Sequence, residues 1–257
     1  MNFRDIFATV LAEYPQAKTT PLKKHPLAAK IRKKWPTEIG AWVDENWPGK
    51  NLMVTGTRFV GSWAYVPWLA VMDQRLTNTT QHGLYVVISF AEDGSRVSIG
   101  LGQGVTSSTQ KILGDNLKKI HATLDLPEGF KPGPLPSGSL GESNSARGYE
   151  PAIVAYKLYE KQSLPENAQL EGDIRQCIDH LISLVDLDEI RAIYSDDTTS
   201  RMPSVGDNAQ GQKVWILAPG QGAKLWDEWK SEGIGALGWD GTDDLSLYSS
   251  REEILPV

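Results

Sequence analysis

The chain has 257 residues, of which 40% are hydrophobic and 23% charged, with a formal net charge of −6. These are the proportions of a soluble globular protein, and no apolar run approaches the roughly 20 residues that span a bilayer. A single cysteine, Cys177, excludes an internal disulfide framework and favours a reducing, cytoplasmic location. Without a CxxC pair, and with four scattered histidines, we expect no structural zinc and no cofactor.

The first 50 residues are basic, whereas the rest of the chain is acidic. They hold nine Lys and Arg against five Asp and Glu, so they carry +4 and the remaining 207 residues carry −10. An amphipathic helix over residues 2–14 precedes a lysine-rich segment, 18–34. The lysines are interpreted either as a solvated helix face or as a phosphate-binding surface. The candidates are Lys23, Lys24, Lys33 and Lys34.

The stretch from Thr57 to Gly104 predicts an antiparallel meander. Runs rich in β-branched and aromatic residues alternate with turn formers, and Asp93-Gly94 between two such runs is a strong hairpin signal. The predicted strands are Leu52–Val60, Trp63–Met72, Leu84–Phe90 and Arg96–Leu101.

Aromatic side chains are dense on these strands. Because side chains alternate along a strand, Tyr85, Val87 and Ser89 share one face, whereas Trp68 points away from Trp63. Trp68 and Tyr85 can then bracket a flat ligand if their strands pair. The alternative is that both are ordinary core residues, because large aromatics dominate protein cores.

Beyond the meander, the pattern predicts a helix over 109–124, a loop or mobile flap over the Pro/Gly/Ser-rich residues 127–144, and a long helix over 164–192. We therefore place a first domain at 1–194 and a polar linker at 195–212. Residues 213–257 hold four tryptophans. The predicted fold class is α+β: a mainly antiparallel sheet with helices packed on it, plus a small Trp-rich C-terminal α/β segment.

Motifs for chemistry are absent from the sequence. There is no GxxxxGK[ST] phosphate loop, and the glycines around Gly102 lack dinucleotide-binding spacing. The paired carboxylates Asp196-Asp197 and Asp243-Asp244 have no partner at a spacing typical of metal or acid/base sites. We therefore predict a protein without enzymatic activity.

The central stretch resembles the N-terminal domain of McrB-type proteins, the specificity subunits of modification-dependent type IV restriction systems. The resemblance rests on Gly61-Ser62-Trp63, Val66-Pro67-Trp68, Gly83-Leu84-Tyr85 and the turn at Asp93-Gly94, in that order. It is specific over about residues 57–104 and extends in outline over 1–190.

This resemblance implies a domain that binds double-stranded DNA and flips a modified cytosine, such as 5-methylcytosine, into a pocket. Trp68 and Tyr85 would form the aromatic walls. Ser89 takes a wall position that is aliphatic in the family, which favours a more polar modification such as hydroxymethyl. Val60 or Trp63 would wedge into the gap left by the base, and Arg58 with the lysines would contact phosphates.

Residues 213–257 resemble the opening of EVE-like modules, which often precede the nucleotide-hydrolysing domain of McrB relatives. The expected partners are therefore modified DNA, a nucleotide-hydrolysing domain and a nuclease subunit outside this chain, in a phage-defence context. Two alternatives stay open. One is a structural or interaction module whose aromatic sheet is core and whose Trp-rich tail docks a partner. The other is an enzyme acting on a nucleobase or small ligand, using Ser89 or an unrecognised carboxylate pair.

Overall fold

A computed structural model describes residues 1–59, 61–106, 108–123, 126 and 128–195. Its α+β architecture agrees with the predicted class. Six strands form one antiparallel sheet in the order β1-β2-β3-β4-β6-β5. The strands are β1 (Leu52–Gly56), β2 (Trp68–Asp73), β3 (Leu84–Phe90), β4 (Arg96–Gln103), β5 (Lys131–Pro132) and β6 (Ile153–Glu160).

Helices surround this sheet. The α-helices are α1 (Phe3–Ala17), α2 (Pro26–Ala29), α3 (Trp35–Asn46), α4 (Gln110–Thr123), α5 (Asn144–Tyr149), α6 (Asn167–Val185) and α7 (Asp188–Ser195). A π-helical turn, Lys30–Lys34, joins α2 to α3, and short 3-10 turns lie at Glu150–Ala152 and Lys161–Ser163. The long helix predicted over 164–192 is therefore two helices.

The π-helical turn has a local cause. In an α-helix the amide of residue 36 would bond to the carbonyl of Arg32, but Pro36 has no N–H to donate. The ladder instead widens, and the Trp35 amide donates to the carbonyl of Lys30. Lys33 and Lys34 on this turn are exposed.

The strands β3 and β4 and their hairpin are confirmed. Gly94 has φ of 71° and its amide donates to the carbonyl of Ala91 over 2.9 Å. The prediction of a strand beginning at Trp63 was wrong, because β2 begins at Trp68. Pro67 supplies no amide to the ladder, and the described residues 57–59 and 61–67 belong to the loop between β1 and β2.

The two faces of the sheet carry separate apolar clusters. The larger packs α1, α3 and α6 against residues such as Val86, Ile88 and Ile99. The smaller lies on the opposite face, where Tyr85 and Val87 meet the segment before β6. The larger cluster is the main core, and the smaller face borders the candidate site.

Candidate functional site

A cavity of about 230 Å³ opens on the face of the sheet that carries Tyr85 and Val87. It is smaller than the roughly 300–1,000 Å³ of pockets for drug-sized molecules, so it suits a single small ring system. Its lining comes from the loop after β1, the strands β2, β3 and β4, and the segment before β6: Thr57, Arg58, Ala64, Trp68, Thr80, Tyr85, Val87, Ser89, Gly102, Gln103, Val105, Thr106, Tyr149, Ala152 and Ile153.

Trp68, Tyr85 and Ser89, which the sequence analysis singled out, all line this cavity. Trp68 lies opposite Ser89 in the pairing of β2 with β3, so their side chains are neighbours on one face. Tyr85 lies four residues before Ser89, on the same face and about 13 Å along the strand. The side chains of both aromatic residues reach the same cavity.

Hydrogen bonds fix the backbone of Trp68. The Thr57 hydroxyl accepts from the Trp68 amide over 2.6 Å and lies 3.0 Å from the Trp68 carbonyl oxygen. The Thr57 amide donates to the same carbonyl over 2.9 Å. This clamp holds the partly exposed indole at the start of β2.

Tyr85 is held at its hydroxyl end. The hydroxyl donates to the carbonyl of Thr80 over 3.0 Å, and the side chain is 8% exposed. Burial, with a smaller contribution from Tyr149, raises the pKa of Tyr85, so it stays a neutral donor at physiological pH. The ring presents an uncharged wall to the cavity.

Ser89 brings an unsatisfied hydroxyl to the cavity. The residue is 2% exposed, and among the residues that the structure describes no hydrogen bond joins its hydroxyl to another group. The hydroxyl is therefore available to pair with a ligand group in the cavity.

The floor of the cavity is made by Val87 and Gly102. Gly102 lies opposite Tyr85 in the pairing of β3 with β4. A Cβ atom at Gly102 would lie 2.8 Å from Val87 Cγ1 and 3.2 Å from Ile153 Cδ1. The missing side chain therefore preserves the depth of the cavity.

Tyr149, which the sequence analysis did not single out, also lines the cavity. Burial raises the pKa of its hydroxyl, and the nearby Trp68 side chain partly opposes this effect. Tyr149 reaches the site from α5, 64 residues after Tyr85 along the chain. The alternation of residues along the strands could not predict that Tyr149 lines the cavity, because α5 lies at the site only when β6 pairs with β4.

The loop between β1 and β2 contributes Thr57, Arg58 and Ala64 to the cavity, and Arg58 is exposed there. Trp63 does not line the cavity. Its indole N–H donates to the carbonyl of Thr20 over 2.8 Å, and its ring packs edge-on against Tyr14, His25 and Phe59. Val60, the other predicted wedge, lies outside the described residues.

The same loop carries an exposed tyrosine. Tyr65 is 61% exposed, while the carbonyl of its neighbour Ala64 accepts a hydrogen bond from the Tyr14 hydroxyl over 2.7 Å. Ala64 also lines the cavity. An anchored backbone thus presents an aromatic ring to solvent beside the cavity.

The predicted lysines belong to the segment 18–34, which contacts this loop through Thr20 and His25. Lys23 and Lys24 are exposed and directly precede His25, whose ring centroid is 5.0 Å from that of Trp63. Lys34 is paired with Glu38 at 3.8 Å, whereas Lys33 is exposed and has no ion pair within the described residues. The basic surface and the cavity therefore share the loop of residues 57–67 as a border.

Comparison with protein families decides the assignment. A family model described as MrcB-like, N-terminal domain, matches residues 9–186. The chain belongs to this family. The resemblance to McrB-type N-terminal domains is thereby confirmed, and membership in the MrcB-like family points to DNA binding in a restriction context. No curated protein matches the chain.

No group of three metal-ligating His, Cys, Asp or Glu side chains occurs within the described residues. No helix in that part of the chain has the length and apolarity to cross a membrane. Residues 196–257, which include most of the predicted linker and all of the predicted EVE-like segment, lie outside the described residues.

Proposed function

We propose that this MrcB-like domain binds double-stranded DNA carrying a modified cytosine, and that the base is flipped out of the duplex into the 230 Å³ cavity. The observation that carries the proposal is the grouping of Trp68, Tyr85 and Ser89 around one small cavity on a DNA-binding family fold. An extruded base has two aromatic faces and a polar edge, so it requires stacking walls and a few polar partners.

The energies are compatible with this role. Stacking on an aromatic side chain contributes roughly 1–3 kcal/mol per base, and two walls are available. Extruding a base costs a few kcal/mol. A buried methyl group on the base adds about 0.8 kcal/mol, so the modification has a modest effect unless a polar partner such as Ser89 also takes part.

Backbone binding is assigned to the exposed basic residues around the loop. Phosphate contacts supply affinity that does not depend on sequence, whereas contacts to the base supply selectivity. The phosphate contacts are assigned to Arg58, which lines the cavity, and to the exposed residues Lys23, Lys24 and Lys33.

Tyr65 is the described residue best suited to fill the gap left by a flipped base. Its ring is exposed and its loop is anchored, whereas Trp63 has its indole N–H and ring faces engaged. Val60 stays a second candidate. Aromatic and apolar side chains that insert between base steps stabilise a distorted duplex.

The domain is proposed to recognise DNA without chemical change to it. Cleavage and nucleotide hydrolysis would then be carried out by partners outside this chain, as in a type IV restriction system. The EVE-like identity of residues 213–257 belongs to the same proposal.

A duplex panel tests the proposal. Duplexes that differ only in one cytosine, either plain, 5-methyl or 5-hydroxymethyl, are titrated against the protein by fluorescence anisotropy. We expect tighter binding of a modified duplex, loss of that preference in Trp68→Ala, and retention of weak, salt-dependent binding. Trp47→Ala is the matched control, because Trp47 is also partly exposed but packs against Trp42. Equal affinity for all duplexes in the wild type would favour the structural or interaction role.

A further inference from the structure

We infer that Gln81, in the loop between β2 and β3, is a specificity-determining residue that reads a base pair beside the flipped cytosine, with a preference for adenine. The inference rests on the proposed function, since it concerns the duplex around the base that enters the cavity. It assigns sequence selectivity to a residue outside the cavity lining, whereas Trp68, Tyr85 and Ser89 line the cavity and concern the modified base itself.

The loop that carries Gln81 and the loop between β1 and β2 lie at opposite ends of β2. The loop between β1 and β2 precedes Trp68, whereas the loop between β2 and β3 follows Asp73. Both loops contribute to the cavity lining, the first through Arg58 and the second through Thr80. The length of β2 is about 17 Å, which corresponds to about five base-pair steps of a duplex. A duplex whose base enters the cavity is therefore long enough to contact both loops.

Hydrogen bonds fasten the backbone of Gln81 to the rim of the cavity. The Gln81 carbonyl accepts from the amide of Thr106 over 3.1 Å, and the Gln81 amide donates to the Thr79 hydroxyl over 3.3 Å. The carbonyl of Thr80, the preceding residue, accepts from the Tyr85 hydroxyl over 3.0 Å. Because Thr80 and Thr106 both line the cavity, Gln81 lies at its rim.

The side chain of Gln81 is available to bind a ligand. Among residues 77–82, Asn78 and Gln81 are the exposed ones. The side-chain amide of Gln81 forms no hydrogen bond within the part of the chain that the structure describes. Neither neighbour of Asn78 lines the cavity, so Gln81 is the amide that adjoins it.

A glutamine side chain beside a duplex favours adenine. Its amide offers both an acceptor and donor hydrogens, and this combination matches N6 and N7 of adenine in the major groove. Residues 76–83 contain no Asp, Glu, Lys or Arg, so the loop neither repels phosphates nor binds them by charge. The contact that this loop can add to the complex is therefore a contact with a base edge.

A library of duplexes tests this inference. Each duplex carries a single 5-methylcytosine with randomised base pairs on both sides of it, and the fraction bound by the full-length protein is sequenced. We expect the wild type to enrich adenine at one flanking position by at least about fivefold, and Gln81→Ala to lose that enrichment. In duplexes with fixed flanks, Gln81→Ala should keep the wild-type preference for 5-methylcytosine over cytosine, because the cavity is unchanged.

Gln74→Ala is the matched control. Gln74 is an exposed glutamine of the same loop, but its amide donates to the Met53 sulfur over 3.9 Å and it does not line the cavity, so this variant should keep the adenine enrichment. A wild type that prefers 5-methylcytosine but enriches no adenine beside it would overturn the inference and leave the proposed function standing. Adenine enrichment that persists in Gln81→Ala would also overturn the inference. A wild type without any preference for modified DNA would refute the proposed function itself.

Discussion

At the scale of single residues, the shape of the cavity depends on Gly102, which has no Cβ atom. Gly102 lies between Val87 and Ile153, and a Cβ atom there would stand 2.8 Å from Val87 Cγ1. In Gly102→Ala the methyl group must displace Val87, which itself lines the cavity. Overpacking of this kind costs about 1–3 kcal/mol.

We expect Gly102→Ala to lower the free energy of unfolding by that amount and to abolish the preference for modified DNA. Urea denaturation and the duplex panel measure the two effects. Gly114→Ala is the control, because a Cβ at Gly114 in α4 meets nothing within 4 Å. That exchange should stabilise by about 0.5–1 kcal/mol. Unchanged base preference in Gly102→Ala would show that this floor does not bound the ligand.

Ser89 offers a second test at this scale. Its hydroxyl has no partner in the described structure and is 2% exposed, so a hydroxymethyl substituent can satisfy it whereas a methyl cannot. We expect Ser89→Leu to shift the preference toward 5-methylcytosine over 5-hydroxymethylcytosine by up to about tenfold, the ratio given by 1.4 kcal/mol. Competition titration of the two duplexes measures the ratio.

Ser98 provides a control for the loss of a serine hydroxyl from this part of the sheet. Ser98 lies opposite Ser89 in the pairing of β3 with β4 and is equally buried, but it does not line the cavity. Ser89→Ala should change the ratio of affinities, and Ser98→Ala should not. If both variants keep the wild-type ratio, Ser89 takes no part in reading the substituent.

At the scale of elements, the π-helical turn connects the basic surface to the cavity. A Cβ at Gly56 would lie 2.1 Å from the Ile31 carbonyl oxygen of that turn. Gly56 ends β1, and the next residue, Thr57, clamps Trp68. The turn that carries the lysines is therefore packed directly against the strand end that positions one wall of the cavity.

The lysines are expected to act through salt-dependent binding. In the double variant Lys23→Ala/Lys33→Ala, the slope of log K against log salt concentration should become shallower by about 1.8, since each phosphate contact contributes about 0.9. The ratio between modified and plain duplex should stay constant. Lys50→Ala is the control, because Lys50 lies before the opposite end of β1. An unchanged slope in the double variant would remove these lysines from the DNA surface.

Elements whose contacts are local could be predicted from the sequence. Alternation placed Tyr85 and Ser89 on one face, and Asp93-Gly94 fixed the hairpin. The start of β2 could not be predicted in this way. Trp63 lies outside the strand, where its indole N–H donates to the carbonyl of Thr20, 43 residues away. The first helix was predicted to stop at residue 14, before Pro15, but α1 continues to Ala17 with Pro15 inside it.

Only part of the cavity could likewise be predicted from the sequence. Its aromatic walls come from neighbouring strands, whose pairing the meander pattern predicts, whereas Tyr149 and the depth at Gly102 depend on where β6 docks. Register between distant segments is set by packing of the whole core, and no periodicity in the sequence encodes it. The resemblance to McrB-type domains supplied Trp68 and Tyr85 but not these two residues.

At the scale of the whole molecule, residues 1–195 should fold alone. The main core is closed by α6 packing on α1 and the sheet, and the Arg4 amide donates to Asn167 Oδ1 over 3.1 Å. We expect the 1–195 fragment to show one cooperative thermal transition and to keep the full protein's DNA preference. Differential scanning calorimetry and the duplex panel measure both. A broad transition would show that residues 196–257 contribute to the core.

The contact between α1 and α6 also determines how long α1 remains without its partner helix during translation. Asn167 donates to the carbonyl of Met1 over 2.9 Å, and Arg4 donates to the carbonyl of Pro165 over 3.1 Å. At about 5–20 residues per second, α6 leaves the ribosome roughly 8–30 seconds after α1. Throughout that interval the apolar side of α1, with Phe3, Phe7 and Leu11, has no α6 to cover it. We therefore expect the apolar side of α1 to remain incompletely covered until α6 emerges, and slower translation to lengthen that exposure.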